Sequence, residues 1–390
     1  MINIKDKKDC CGCTACASIC AHHAILMEPD CLGFYYPKVD ESLCVNCGLC
    51  DNVCQFKTNY KRFDNYDKPL VFGARHKELS QLSKSQSGAL SFALIDKFLE
   101  KEGVVYGVAF SKGFHVVHKR ASAIDECEEF RGSKYVQSDL NGIFHSVKND
   151  LIEGDRVLFF GTSCQIGGLR SYIPKKLHQK LLTVDIVCHA TSSPRVWEEY
   201  IKWIEKKYNQ KIQIAKFRNK RFGWRSCVET FLLSDCELER TTFRFFFYFN
   251  HLAIRKSCAN CYYTNLNRIG DISLGDFWGW SKFHNEWNDN KGVSLVLVNS
   301  EKGRIFYESL ETVDSILSNT NECIQPQLLG PVNINPKHDI FVSDFAKYGF
   351  EYCGRKYGDL SLRYKITNFF KVTIKEYSWY KKLRNIKKRL

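Results

Sequence analysis

Two cysteine runs of one spacing open the chain: Cys10-x2-Cys13-x2-Cys16-x3-Cys20, then Cys44-x2-Cys47-x2-Cys50-x3-Cys54. The spacing dictates local shape, because three thiols this close can grip one polynuclear centre only if the loop wraps it. The fourth cysteine then opens a helix and reaches a neighbouring centre. Written twice, the pattern implies two [4Fe-4S] clusters with crossed ligation: Cys10, Cys13, Cys16 and Cys54 on one, Cys44, Cys47, Cys50 and Cys20 on the other. Zinc and disulfides are the competing accounts. Zinc asks for two pairs of ligands rather than two quartets. Disulfides need an oxidising compartment, and Met1 to Asp9 is Lys- and Asp-rich with no apolar signal core. Ala21 and Gln55 stand where proline usually closes such a run, which removes a preset helix-entry angle but no ligand. Cys11 and Cys31 are left over, as small packing residues or redox-neutral neighbours.

At 390 residues the chain has room for a larger domain beyond this ferredoxin unit. Nineteen cysteines without a secretion signal favour reduced thiols, metal ligation and a cytoplasmic setting. No apolar run reaches membrane-spanning length; Val293 to Val298 is strand-sized. The net charge of +14 gathers at the end of the chain, in Lys381, Lys382, Arg384, Lys387, Lys388 and Arg389. A solvated helix end, a patch for an acidic electron-donor protein or an anionic membrane, and nucleic acid compete, in that order. No nucleic-acid partner is expected. Phe369, Phe370, Tyr377, Trp379 and Tyr380 would give peripheral membrane contact through the basic tail an interfacial face.

The chain divides into a ferredoxin domain (1–58, with a hairpin at Gly33 to Pro37), a linker (59–69), a larger domain (70–335) and a basic aromatic tail (336–390). In the larger domain, Ser87 to Glu102 carries apolar residues at helical spacing and ends at Gly103. Strands follow at Val104 to Phe110, Arg156 to Phe160 and Leu181 to Val187. Ser193-Pro194 starts a helix with Ser as N-cap and Pro at N1, and Val196, Tyr200, Ile204 and Tyr208 mark its buried face. The expected class is α+β to α/β: a bacterial-type dicluster ferredoxin domain followed by a larger mixed-sheet α/β domain.

Ligands collect at the carboxyl ends of strands in such sheets, and Cys164 and Cys188 fall at two of them. With Cys258-x2-Cys261 they would complete a third [4Fe-4S] quartet. Singly, Cys164 and Cys188 read more readily as buried structural thiols, and the CxxC as half a zinc site or a redox dithiol. Of His115, His118 and His189, the last, beside Cys188, is the candidate catalytic residue, as cluster tuner or proton relay. Asp276 and Trp278 read equally as turn and packing residues.

An ordered series of motifs then becomes familiar: Ser87-Gly88-Ala89-Leu90, Gly103-Val104-Val105-Tyr106-Gly107, Arg131 to Ser138, Gly161-Thr162-Ser163-Cys164-Gln165, Val187-Cys188-His189, Cys258-x2-Cys261 and Asp271 to Gly279. Across residues 1 to about 335 the series resembles the coenzyme F420 hydrogenase/dehydrogenase beta-subunit family, in its bacterial form with a fused ferredoxin domain. The resemblance implies an iron-sulfur flavoprotein oxidoreductase that passes electrons between [4Fe-4S] clusters and FAD. It implies three clusters in all, with Cys164, Cys188, Cys258 and Cys261 as ligands of the third. Ser163 departs from the proline usual before the first of these.

For FAD, Ser85, Gln86, Ser87 and Gly88 at a helix N-terminus, and Gly132, Ser133, Lys134 and Tyr135, are the expected contacts. A plain helix cap at Ser87 and a ligand-free basic loop at Lys134 are the alternatives. The implied partners are a one-electron donor or acceptor protein, ferredoxin-like or a hydrogenase/dehydrogenase subunit, and a small-molecule hydride donor or acceptor such as coenzyme F420. Bacterial relatives that stand beside surface-polysaccharide genes point to other substrates. Two rival readings are a ferredoxin-like subunit that delivers electrons to a partner enzyme without substrate chemistry, and a carbohydrate-locus enzyme whose clusters are structural.

Overall fold

The computed structural model describes residues 1–57 and 65–361. Most of the expected linker and the basic aromatic end of the chain lie outside the described residues. The N-terminal unit pairs β1 (Ile25–Pro29) antiparallel with β2 (Tyr35–Val39), and Gly33, at φ +79°, turns the chain between them. The tight cysteine spacing leaves space for single helical turns only. These are α1 (Ala15–Ile19), which carries Cys16, and α2 (Leu49–Asn52), which carries Cys50.

The larger domain begins with β3 (Leu70–His76), α3 (Leu79–Lys84) and α4 (Leu90–Leu99). Next come β4 (Val104–Phe110), β5 (Val116–Ala121), α5 (Ile143–Glu153), β6 (Val157–Thr162), α6 (Ser163–Tyr172), β7 (Leu181–Ile186) and α7 (Pro194–Tyr208). A small sheet of β8 (Ile214–Lys216), β9 (Glu229–Leu232) and β10 (Glu237–Arg240) precedes a π-helical segment, Thr242–Phe249. The chain returns through β11 (Ile272–Asp276), β12 (Ser294–Val298), α8 (Glu301–Glu308), β13 (Val313–Ser318) and α9 (His338–Tyr357).

Among the described residues, eight strands make one mixed sheet in the order β13-β3-β12-β11-β7-β6-β4-β5. Its centre, β11-β7-β6-β4, is parallel and its flanks are antiparallel. The alternation of strand side chains sorts two cores. Val105 and Leu158 point to the face covered by Leu90, Leu94 and Phe98 of α4. Tyr106 and Phe159 point to the opposite face, which Phe144 of α5 and Ile166 and Leu169 of α6 cover. The expected mixed α/β class is what the chain adopts.

The structure differs in places from the reading of the sequence. The helix read from Ser87 starts at Leu90, because Gly88 is held in extended fashion by His76 N–H to its carbonyl and by its own N–H to Ser294 Oγ. Ala89, at φ +64°, then turns the chain into the helix. The stretch from 336 does not begin as a tail: Phe341, Phe345, Phe350 and Cys353 of α9 join the core around Trp197 and Tyr200 of α7. The N-terminal unit shares the lower core of the main sheet, where Ile2, Ala15, Ile25 and Val53 pack with Phe144, Phe159 and Leu169. α7 starts as its sequence dictates, with the Ser193 hydroxyl accepting from Val196 N at 3.0 Å. No helix among the described residues is long and apolar enough to cross a membrane.

Candidate functional site

The carboxyl ends of β6 and β7 deliver Cys164 and Cys188 to the lower edge of the sheet. The loop after the π-helical segment brings Cys258 and Cys261 to the same place, and all four line one small pocket. Burial pushes the thiols of Cys188, Cys258 and Cys261 up, Cys261 to about 12, and neighbouring thiols of the group add to the effect. Thr191 N–H donates to Cys258 Sγ at 3.4 Å, and Thr162 Oγ1 lies 3.2 Å from Cys164 Sγ. Such polar contacts to sulfur orient a ligand and offset the charge of a thiolate.

The N-terminal cysteines fall into two groups. Burial raises Cys16 and Cys54, and the charges of Cys10 and Cys13 raise both further. Cys20, Cys44, Cys47 and Cys50 line a pocket of their own, with Ile2 N–H donating to Cys50 Sγ at 3.2 Å. Among the described residues no three of the thiol sulfurs lie mutually within 4.8 Å.

Cys11 is no bystander. Its thiol lies between Cys13 and Cys164, one from each of two groups, and holds its proton against both, so that it is raised and they are lowered. Gly168 makes this approach feasible, since a Cβ there would sit 2.7 Å from Cys13 Sγ. Cys31 is exposed and touches none of this.

Above the third thiol group lies a cavity of about 370 Å³. Ser85, Gln86 and Ser87 line it from one side, Gly132, Ser133, Lys134 and Tyr135 from another, and Cys188 and His189 form its floor. Arg131 links the first two segments, donating to Ser85 Oγ at 2.9 Å while its guanidinium lies 3.5 Å from the Phe92 ring centre. Lys134 donates to the carbonyls of Glu129 and Arg131, and desolvation pushes its pKa down to about 7. Gly88 does not line the cavity: a Cβ there would stand 2.2 Å from Ala74 O, so its role is close packing of α4 on β3 and β12. Replacing Gly88 by alanine is expected to lower stability by about 1–3 kcal/mol through overpacking, read as a lower thermal midpoint.

Arg244, Tyr248 and Phe249, which no motif in the sequence singles out, come from the π-helical segment and add to the cavity wall. Asp276, left open between turn and function, receives Arg218 at 2.8 Å and Trp224 Nε1 at 2.7 Å. Trp278 stacks on Trp224 with ring centres 4.9 Å apart. A larger chamber of about 780 Å³ shares Gln86 and Arg131 to Lys134 with the first cavity and continues past Lys216, Arg218, Lys220 and Arg221. Burial, followed by the charges of Arg75 and Arg218, lowers Lys220 to about 8.

His189 sits at the cavity floor in a chain of hydrogen bonds. Its Nδ1 meets Gln327 Nε2 at 2.9 Å and its Nε2 meets His251 Nε2 at 2.8 Å. His251 Nδ1 in turn reaches Asn333 O at 2.7 Å. All three bonds are satisfied when Gln327 donates to His189, His189 to His251, and His251 to the carbonyl. Burial, and then His251, lowers His189 to about 4, so the ring is neutral at neutral pH. His118 is buried under Phe159 with one nitrogen on Phe160 O, and His115 is a surface partner of Glu198. Neither faces the cavity.

No curated protein matches the chain. A chain of the F420-reducing [NiFe] hydrogenase complex from Methanosarcina barkeri, studied by xenon derivatization, is similar over 73% of this chain and 89% of its own. The identity is 18% and the TM-score 0.44. Residues 154–320, which supply Cys164, Cys188, Cys258, Cys261 and His189, match the family model for the C terminus of the coenzyme F420 hydrogenase/dehydrogenase beta subunit. Over that span, less than half of its length, the chain is similar to the coenzyme F420 hydrogenase/dehydrogenase beta-subunit family.

Proposed function

We propose that the chain is an iron-sulfur flavoprotein oxidoreductase. Three [4Fe-4S] clusters, on Cys10/Cys13/Cys16/Cys54, Cys20/Cys44/Cys47/Cys50 and Cys164/Cys188/Cys258/Cys261, exchange electrons with an FAD in the cavity above Cys188. The observation that carries the reading is that Cys188 and His189 line both the third thiol pocket and the cavity, so a group bound there lies against a cluster ligand. FAD, when bound, supplies the exchange between single electrons and a hydride.

The chain's own residues divide the remaining work. Arg131 and Lys134, with Gly132 and Ser133, offer cationic and N–H groups to a diphosphate. Tyr248, Phe249 and Trp278 supply ring surface that excludes water. His189 holds a proton on Nε2 at the cavity floor, shared with His251. The basic chamber beyond Lys134 suits an anionic hydride donor or acceptor, and coenzyme F420 is the candidate that the family's description names. The Cys20/Cys44/Cys47/Cys50 group lies nearest the surface, with Cys47 exposed and Leu43, Val45 and Leu49 bare around it. We assign this edge to docking of the one-electron partner protein. A subunit that only delivered electrons would have no use for a cavity of this size beside His189, which favours the flavoprotein reading over its rival.

Anaerobically purified full-length chain is expected to hold about twelve irons and one FAD. Full iron without flavin would transfer the preference to the delivery-subunit reading.

A further inference from the structure

Arg255 is 1% exposed, and no carboxylate among the described residues forms an ion pair with it. Its donors end on neutral acceptors instead. Nε reaches Cys10 O at 2.8 Å, Nη1 reaches Gln137 Oε1 at 2.9 Å, and Nη2 reaches Tyr35 O at 2.8 Å. Nη2 also points to Cys10 Sγ at 3.7 Å, and the guanidinium lies 4.2 Å from the Tyr36 ring centre. The cation is nested in the first cysteine loop, where a Cβ on Gly12 would stand 2.8 Å from Nη1. The backbone of the same residue belongs to the other cysteine group. Its N–H donates to Thr191 O, and its carbonyl accepts from Cys258 N–H, both at 3.0 Å.

A guanidinium cannot shed its proton, and neutral acceptors do not repay the hydration it loses on burial. Its charge therefore needs an anion close by. The buried thiols provide it: Nη2 faces Cys10 Sγ of one group, and Arg255 lines the small pocket that holds Cys164, Cys188, Cys258 and Cys261 of another. Four thiolates around a cubane leave that centre negative in both oxidation states, and one unit more negative once it has taken an electron.

We propose that Arg255 is the shared counter-cation of the clusters on Cys10/Cys13/Cys16/Cys54 and Cys164/Cys188/Cys258/Cys261, and that it raises both reduction potentials. The inference rests on the cluster reading above. Each cluster takes up one electron from the partner protein, with no bond made or broken, and the fixed cation favours the more negative product. The Cys20/Cys44/Cys47/Cys50 cluster makes no contact with Arg255 and serves as the internal reference.

The test is an anaerobic redox titration of the full-length chain followed by electron paramagnetic resonance, with iron counted for every sample. In Arg255→Gln we expect a full iron complement, two potentials lowered by about 59 mV, a tenfold fall in the equilibrium constant for reduction, and the third unmoved. Arg255→Lys, which keeps the charge and loses the fork, should retain potentials near those of the parent. Unchanged potentials in fully loaded Arg255→Gln overturn the proposal and leave Arg255 as a clamp. If Arg255→Gln does not hold its irons, Arg255→Lys decides. Loading with parental potentials supports the charge, and failure to load, or potentials lowered in both clusters, overturns it. Parent protein with fewer than about twelve irons overturns the cluster reading itself, before any variant is compared.

Discussion

On the proposed ligation, replacing Cys188 by alanine is expected to take about four irons from the chain and leave about eight, because one missing thiolate opens one cubane of three. The N-terminal clusters, whose ligands all lie within the first fifty-four residues, should keep their spectra. Bound FAD should then remain oxidised when a one-electron donor reduces those clusters, since the group against the cavity floor is gone. Iron analysis, a spectrum and rapid-mixing reduction check the three parts separately. Twelve irons in this variant would show that Cys188 is not a ligand, whatever happens to the flavin.

The second large effect is expected at Asp185. This carboxylate is fully buried at the end of β7 and pairs with Arg268 at 3.0 Å, the two side chains being 0% and 1% exposed. The same guanidinium reaches Ser163 Oγ at 2.7 Å, Ile186 O at 3.0 Å and Tyr263 O at 2.6 Å. Those atoms lie one or two residues from Cys164, Cys188 and Cys261, so the ion pair holds the loops that present the third thiol group. Asp185→Ala would leave a buried cation unpaired and should cost about 3–5 kcal/mol. The urea midpoint of unfolding reads that loss. Removing both charges, as Asp185→Leu with Arg268→Met, should recover most of it, because the desolvation of Arg268 disappears with its partner. A single variant as stable as the parent would refute this account of the loop.

The meeting of Cys20 with Cys44, Cys47 and Cys50 about one pocket was legible because a tight spacing constrains the chain over a few residues, and a spacing rule captures it. The placing of Cys164 and Cys188 beside each other was legible for a different reason: apolar strands announce their own ends. The α/β class followed from the same strands. Arg255 was not legible. Its guanidinium bonds to Cys10, Tyr35 and Gln137, all far away in the sequence, and nothing beside it in the sequence marks a buried cation. The π-helical segment escaped notice because Phe243, Phe245, Phe246, Phe247 and Phe249 read as a plain apolar run. The start of α4 was misplaced since Ser87 looks like a cap, whereas its hydroxyl is already committed to Val293 O at 2.8 Å. Tertiary bonds overrode a local signal there, as they did at α9, whose aromatic residues reach a core that no nearby sequence reveals.

The core shared by the N-terminal unit and the main sheet bears on how the protein is made. By the time Cys54 leaves the ribosome, eight thiols of two clusters are available for loading. The underside formed by Ile2, Ala15, Ile25 and Val53 still lacks Phe144, Phe159 and Leu169 to cover it. The third quartet closes only when Cys261 emerges, roughly ten to forty seconds later at ordinary elongation rates. On the proposed ligation, metal delivery during synthesis would fall into two episodes, and the nascent chain between them would expose an apolar face that a chaperone or a cluster-carrier protein would have reason to shield.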